Sequence, residues 1–440
     1  MGHYLPHTDA QREAMLDALG LTDTQELFAD IPGSVLLDHP VNLAPGLSQM
    51  EALAAMKALA AGNKSYRLTL RGAGCYDHFI PSVVTRVAAK EEFVTAYTPY
   101  QAEMSQGILQ SIFEFQSLMC ELTQMDVSNA SVYDGASAAT EAAVMCRERK
   151  RRVALVSATV HPDTIATLRT YCYGTGDEVR VIPAQDGLTD RAALEGMLTE
   201  DAACLIVQQP NFYGLLEDVC GLFARAKEAG VKGVLSVNPM TLALLPGGKE
   251  VGADIVCGDA QPFGLPMAFG GPSLGFMTTT NALMRKLPGR IVGQTTDPAG
   301  RRAFVLTLQA REQHIRREKS SSNICTNQAL CALTAGVYLT CLGERGIRAV
   351  AENCLSKAHY LAKALCEIKG VALRYPGEFF HEFVTVLPVD ARKIQDVLEE
   401  KGVLSGLPLE DGTMLWCVTE KALRSDLDQV AAWVKEVCEA

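Results

Sequence analysis

The sequence predicts an α/β protein: a mostly parallel sheet covered by helices on both faces, followed by a smaller α+β domain. Three observations lead there. Beyond Lys150, the short apolar segments "RVALVSA", "EVRVIP", "ACLIVQ", "GVLSV" and "ADIVCG" alternate with helical stretches, with roughly 20 to 30 residues between successive starts. Near-continuous apolar strands with helical crossovers belong to parallel sheets buried on both faces. From about Thr326 the texture changes to long helices interleaved with "VALRY", "FVTVL" and "MLWCV". The chain has 440 residues, 48% hydrophobic and 21% charged, enough for one large and one smaller core.

Taken in order, residues 1–65 read as a helical segment, 66–325 as the large α/β domain and 326–440 as the small α+β domain. In the first segment Thr8 with Gln11, Thr22 with Gln25, and Ser48 with Glu51 match capping boxes, and Gly20 and Gly62 follow as stop signals. Helices this short are marginal alone, so the segment is expected to pack on the large domain or on a second chain. From Ser105 to Gln124, Ile108, Ile112, Phe115, Met119 and Leu122 form one stripe of a buried amphipathic helix. Another helix begins near Ala136. In the last domain one helix runs from about Asn327 to Leu342, another follows to about Lys369, and two more lie near Asp390 and at the end.

A net charge of −11 opposes binding to nucleic acid, because nothing here would drive counterion release. The one basic run, Arg147 to Arg152, falls at a helix end, where cations complement the dipole. Fourteen cysteines are scattered without zinc-ligand spacing, as expected of buried thiols in a cytoplasmic protein. The first residues lack the apolar core of a secretory signal, and no run approaches the roughly 18 apolar residues of a membrane span.

Several stretches could carry chemistry. The helix opening at Asp134, Gly135, Ala136 and Ser137 offers free amides for a phosphate, or is simply a tight turn before an alanine-rich helix. Tyr97, Tyr100, Gln101 and Glu103 lie on a loop stiffened by Pro99, suited to a ligand or partner, or else are structural tyrosines. Arg71, Tyr76, Asp77 and His78 cluster around two glycines; His78 alone reads more readily as a satisfied structural histidine. Asn323 and Thr326 sit at the expected domain junction, where pockets form. Residues 256–276, "VCGDAQPFGLPMAFGGPSLGF", look like a cofactor loop without a lysine.

Four segments together, "YTPYQAEMSQG", "NASVYDGASAATEAA", "QPFGLPMAFGGPSLGF" and "REQHIRREKSSSNICTNQAL", resemble the glycine cleavage system P-protein, glycine dehydrogenase (decarboxylating), in particular the subunit 1 (alpha) form of the split enzyme. The resemblance runs nearly end to end. It implies the pyridoxal-phosphate-dependent transferase fold type I, like aspartate aminotransferase, with a mostly parallel seven-stranded large domain. It also implies a reaction in which glycine binds through pyridoxal phosphate, CO2 leaves and the aminomethyl group passes to the lipoyl arm of the H-protein.

Catalysis in that fold needs a lysine for the Schiff base and an acid at the pyridine nitrogen. The resemblance sets the lysine position at or near Gln261 and the acid position at Asn238, so both essential groups are missing. The reading that follows is a subunit without its own cofactor. Pyridoxal phosphate then sits on subunit 2 (beta), the assembly is α2β2, and Tyr97, Tyr100, Gln101 and Glu103 face the partner's site with Arg71 and His78 behind them. Gly135, Ala136 and Ser137 become a vestigial phosphate site. Two alternatives stand beside it: a cofactor held through Lys249 or Lys319, and a non-catalytic scaffold or regulator of subunit 2.

Overall fold

The computed structural model describes residues 6–37, 39 and 41–440. They form two compact units, residues 1–64 and 65–440. The first holds α1 (Asp9–Leu19) and α2 (Gln49–Ala60), with a 3-10 turn at Thr24–Phe28 between them. The Thr8/Gln11 and Ser48/Glu51 boxes form as expected. The middle box falls one residue later, on Asp23 and Glu26. The reason is acceptor strength: the Glu26 carboxylate takes the amides of Thr22 and Asp23 at 2.8 and 2.9 Å and the Thr22 hydroxyl at 2.6 Å, which a neutral glutamine amide does less well.

In the second unit, α3 (Gln106–Thr123) buries Leu109, Ile112, Phe115 and Met119, while Ile108 and Leu122 at the edges of the stripe are half-buried. A seven-stranded sheet follows: β1 (Val127–Ser128), β2 (Val153–Ser157), β3 (Glu178–Ile182), β4 (Ala202–Gln209), β5 (Lys232–Val237), β6 (Ile255–Asp259) and β7 (Gly275–Thr279). Its order is β1-β7-β6-β5-β4-β2-β3, parallel throughout except that β7 runs antiparallel to both neighbours. The expected mostly parallel, seven-stranded sheet is present.

Period-2 alternation assigns the two faces. Along β4, Leu205 and Val207 join Phe115, Met119, Phe223 and Tyr338 on one side. Cys204 and Ile206 join the alanines of α4 (Gly135–Cys146) and Leu168 of α5 (Pro162–Thr175) on the other. Ala138, Ala139, Ala142 and Ala143 are all buried, so α4 lies close against the sheet.

The carboxyl-terminal part begins with α6 (Ala329–Cys366), broken at Gly343 (φ 60, ψ −178), where the sequence predicts one helix ending near Leu342 and a second beginning. A four-stranded sheet at Ala372–Leu373, Glu382–Val386, Leu407–Pro408 and Met414–Cys417 packs with helices Ala391–Glu400 and Arg424–Glu439 around Trp416, Phe383, Leu361 and Leu427. The segment after β4 is stitched to it: Leu216 N donates to Glu378 O at 2.9 Å, and Phe380 N to Gly214 O at 3.2 Å. Gly214 has φ 85, and a Cβ there would lie 2.0 Å from the Glu382 carbonyl oxygen. Gly214→Ala is therefore expected to lose at least about 3 kcal/mol, from strain plus a backbone clash; urea unfolding of the variant against wild type checks it.

Candidate functional site

A cleft of about 310 Å³ opens at the carboxyl ends of the parallel strands, where open α/β sheets place their ligands. Ser236 and Asn238 at the end of β5, Gly258 and Asp259 at the end of β6, Asp134 before α4 and His161 before α5 line it.

Gln261, at the position where the resemblance calls for lysine, is 3% exposed. Its carbonyl oxygen accepts from Tyr76 N at 2.9 Å, and its Nε2 donates to Tyr76 O at 2.9 Å and Leu265 O at 2.7 Å. The side chain is thus a clamp between the 72–76 loop and the 261–265 loop. Asn238 is similarly occupied. Its Oδ1 accepts from Met240 N at 3.1 Å and caps the turn at Pro239–Ala243, with Nδ2 facing His381 Nε2 at 3.5 Å. Burial, with His78 nearby, pushes His381 down to about 3, so that imidazole is uncharged. Neither side-chain atom of Asn238 is hydrogen-bonded to a carboxylate.

At the adjoining helix end Asp134 Oδ1 caps α4 by accepting from Ser137 N at 2.7 Å. Asp259 Oδ2 accepts from Gly135 N at 3.1 Å and from Ser273 Oγ at 2.6 Å; its Oδ1 accepts from Gln261 N at 2.9 Å and Leu274 N at 3.3 Å. A Cβ on Gly135 would lie 2.9 Å from Asp259 N, so only glycine lets the helix end come this near. The residues therefore do not fit pyridoxal phosphate at any of its three anchor points: the lysine, the pyridine nitrogen and the phosphate.

Glu382 supports the cleft-lining residues Ala73 and Tyr76. Glu382 Oε1 accepts from Ala73 N at 2.7 Å, and the Tyr76 hydroxyl donates to Oε2 at 2.8 Å. Burial pushes the Glu382 carboxyl up to about 7. Sequence reasoning missed Glu382, which looks like an ordinary strand residue, and left Asp259 unassigned. The position of Asp259 immediately after an apolar strand was the available signal.

The remaining candidates scatter. Arg71 donates to the Ser405 and Gly406 carbonyls at 3.2 and 3.0 Å. Buried His78 meets Glu420 at 2.7 Å through Nδ1. Both are tied to carboxyl-terminal elements rather than to the Tyr97 loop. The Tyr100 ring lies under Arg290 at 5.1 Å and its hydroxyl donates to Asn327 Oδ1 at 3.3 Å, next to Thr326. Tyr97, Gln101, Glu103, Asn323 and Thr326 are exposed. Lys249 pairs with Asp126 at 2.5 Å, and Lys286 donates to Arg147 O at 3.0 Å. Neither lysine lines the cleft, nor does Lys319.

Sheet order and cleft position define a pyridoxal-phosphate-dependent transferase architecture of fold type I. A sphingosine-1-phosphate lyase from Burkholderia pseudomallei shares this fold, with a TM-score of 0.68 at 16% identity over 94% of each chain. The family is narrower. The chain belongs to the glycine cleavage system P-protein family, whose model matches residues 2–434. It is 46% identical to a protein of Desulfitobacterium hafniense described as probable glycine dehydrogenase (decarboxylating) subunit 1, over 99% of this chain and 100% of that one. A relative of the same description from Moorella thermoacetica is also 46% identical, over 99% of each chain. A crystal structure of glycine decarboxylase (P-protein) of the glycine cleavage system, in inhibitor-bound form, superposes with a TM-score of 0.92 at 40% identity, covering 99% of this chain and 100% of that one.

Two predictions follow from the clamp and its support. Gln261→Ala leaves the Tyr76 amide and carbonyl without partners and is expected to lose about 2 to 4 kcal/mol in chemical denaturation. For Glu382 the folded pKa lies above the unfolded one, so its contribution is intact below pH 4.5 and is lost as pH rises through about 7. Glu382→Gln keeps the shape without the charge. Its stability relative to wild type should rise by about 3 kcal/mol between pH 4.5 and 7 and then stay level, as read from melting across that range.

Proposed function

We propose that this chain is subunit 1 of a two-chain glycine dehydrogenase (decarboxylating), the P-protein of the glycine cleavage system, and that it supplies one wall of an active site whose pyridoxal phosphate is held by subunit 2. The observation carrying the proposal is Gln261, a fully hydrogen-bonded amide where catalysis needs lysine, in a chain that matches named subunit 1 relatives from end to end. A chain so related would not keep the fold intact for a cofactor it cannot attach, unless another chain carries the cofactor.

Pyridoxal phosphate bound to the partner supplies the electron sink for decarboxylating glycine. This chain's part is positional. The exposed side chains of Tyr97, Gln101, Glu103, Asn323 and Thr326, backed by Tyr100 against Arg290 and Asn327, form a polar surface able to orient glycine or the lipoyl arm of the H-protein and to narrow the water-filled approach. An α2β2 assembly fits a pair of related chains of which one completes the other's site. The fourteen free cysteines agree with work in the reducing cytoplasm. Among the described residues no helix is long and apolar enough to cross a membrane.

The test is glycine-dependent exchange of labelled CO2 by the chain alone, then mixed with subunit 2 and lipoylated H-protein. The chain alone should be colourless and inactive, and the mixture yellow and active. Tyr97 is 87% exposed, so Tyr97→Ala should leave the chain's stability within about 0.5 kcal/mol while lowering turnover of the assembled complex at least about tenfold. Unchanged turnover in complexes that still assemble would favour the scaffold reading instead.

A further inference from the structure

Losing a lysine at one position would leave the rest of a cofactor site open to repair. The geometry at the start of α4 is different. A phosphate bound at a helix amino terminus uses the unpaired amides of the first turn. Here Gly135 N donates to the Asp259 carboxylate at 3.1 Å, Ser137 N to the Asp134 carboxylate at 2.7 Å, and Ala138 N to the Asp134 carbonyl at 3.0 Å. The Ala138 bond is the helix's own first i→i−4 bond; of the three helical amides before it, Gly135 and Ser137 are taken by carboxylates and only that of Ala136 remains for a ligand. Two carboxylates stand within hydrogen-bond reach of the same helix end. The cleft lining has Asp134, Asp163 and Asp259 and neither lysine nor arginine, so no lysine or arginine charge offsets the repulsion an incoming phosphate dianion meets.

Asp259 is also not free to move aside. Its two oxygens accept four hydrogen bonds, from α4, from the 261 loop and from Ser273 and Leu274 at the entry to β7. Displacing it would unpair amides on three segments at once. We propose that the Asp259 carboxylate is a built-in anion in the place of the cofactor phosphate, so that this chain's cleft excludes phosphate and pyridoxal phosphate even when a lysine is restored at position 261. The inference deepens, and in part rests on, the reading of this chain as the subunit without its own cofactor. It adds that the loss is enforced by charge and not merely by the missing lysine.

The experiment compares the full-length wild-type chain with Gln261→Lys, Asp259→Ser, Asp259→Asn and the double variants combining Gln261→Lys with either change at 259. Inorganic phosphate affinity is read from phosphate-dependent melting and equilibrium dialysis. Pyridoxal phosphate uptake is read by absorbance and, after borohydride reduction, by peptide mapping of residue 261. Wild type and Gln261→Lys should bind neither anion at millimolar concentration. Either single change at Asp259 should raise phosphate affinity at least tenfold, and a double variant should show labelled residue 261. Asp259→Asn keeps the side chain's size and serves if Asp259→Ser does not fold. Stoichiometric uptake of pyridoxal phosphate at residue 261 by Gln261→Lys alone overturns the inference, as does equal phosphate affinity in wild type and both Asp259 variants. Phosphate binding by wild type as tight as by the Asp259 variants, with the two-chain mixture still active, sinks the inference and leaves the subunit reading standing. An inactive mixture with phosphate still excluded does the reverse.

Discussion

The cleft depends on how the amino end of α4 is neutralised. A helix aimed at the carboxyl edge of a parallel sheet brings partial positive charge and unpaired amides to that edge, and something negative must meet them. In this chain the negative groups are internal. Asp134 caps from within the helix's own turn, while Asp259 reaches across from the end of β6 and holds β7's entry and the 261 loop in the same grip. The small residues follow from this. Gly135 leaves space for Asp259, and the buried alanines behind it let α4 lie close enough for the contact.

A second line of support runs from Gln261 to Tyr76, from Tyr76 to Glu382, and from Glu382 into the carboxyl-terminal sheet. Each link is buried and polar: Gln261 bonds the Tyr76 backbone, the Tyr76 hydroxyl the Glu382 carboxylate, and Glu382 the Ala73 amide. Such a chain of contacts is costly to leave half-made, which makes it a specifier of one arrangement more than a source of net stability. The groups that would be reactive in a catalyst have here become joints: an amide at the lysine position, a capping asparagine at the acid position, an uncharged buried histidine beside it.

Much of the fold was legible in the sequence because it rests on local, periodic signals. Apolar runs marked β2 to β6, the stripe from Ile108 to Leu122 marked α3, and the helix boundary expected near Leu342 coincides with the break at Gly343. The two-residue β1 carries too few residues for such a signal, and β7 begins inside the 256–276 stretch that reads as a cofactor loop. At the site, the absences were easy to read and the replacements were not. That Gln261 is no lysine is visible in one letter; that it clamps Tyr76 depends on a partner 185 residues away. Arg71 and His78 are set behind the Tyr97 loop by the resemblance alone. Their partners, Ser405, Gly406 and Glu420, come from the far end of the chain.

The two parts of the surface now divide by how their polar groups are used. Inside the cleft Gln261 and Asp259 commit their side chains to other segments of the same chain, and Asp134 and Asn238 cap the turns that follow them. On the loop from Tyr97 to Glu103 and at Asn323 and Thr326 the polar groups face outward, while Tyr100 alone turns in to anchor the loop on Arg290 and Asn327. An exposed aromatic such as Tyr97 gains little where it is, since water contacts most of its ring, and recovers that burial only against another surface. A chain whose cleft is tied internally at Gln261 and Asp259 while it presents a polar, aromatic loop suits the proposed subunit role, and that contrast adds to the weight Gln261 gives it.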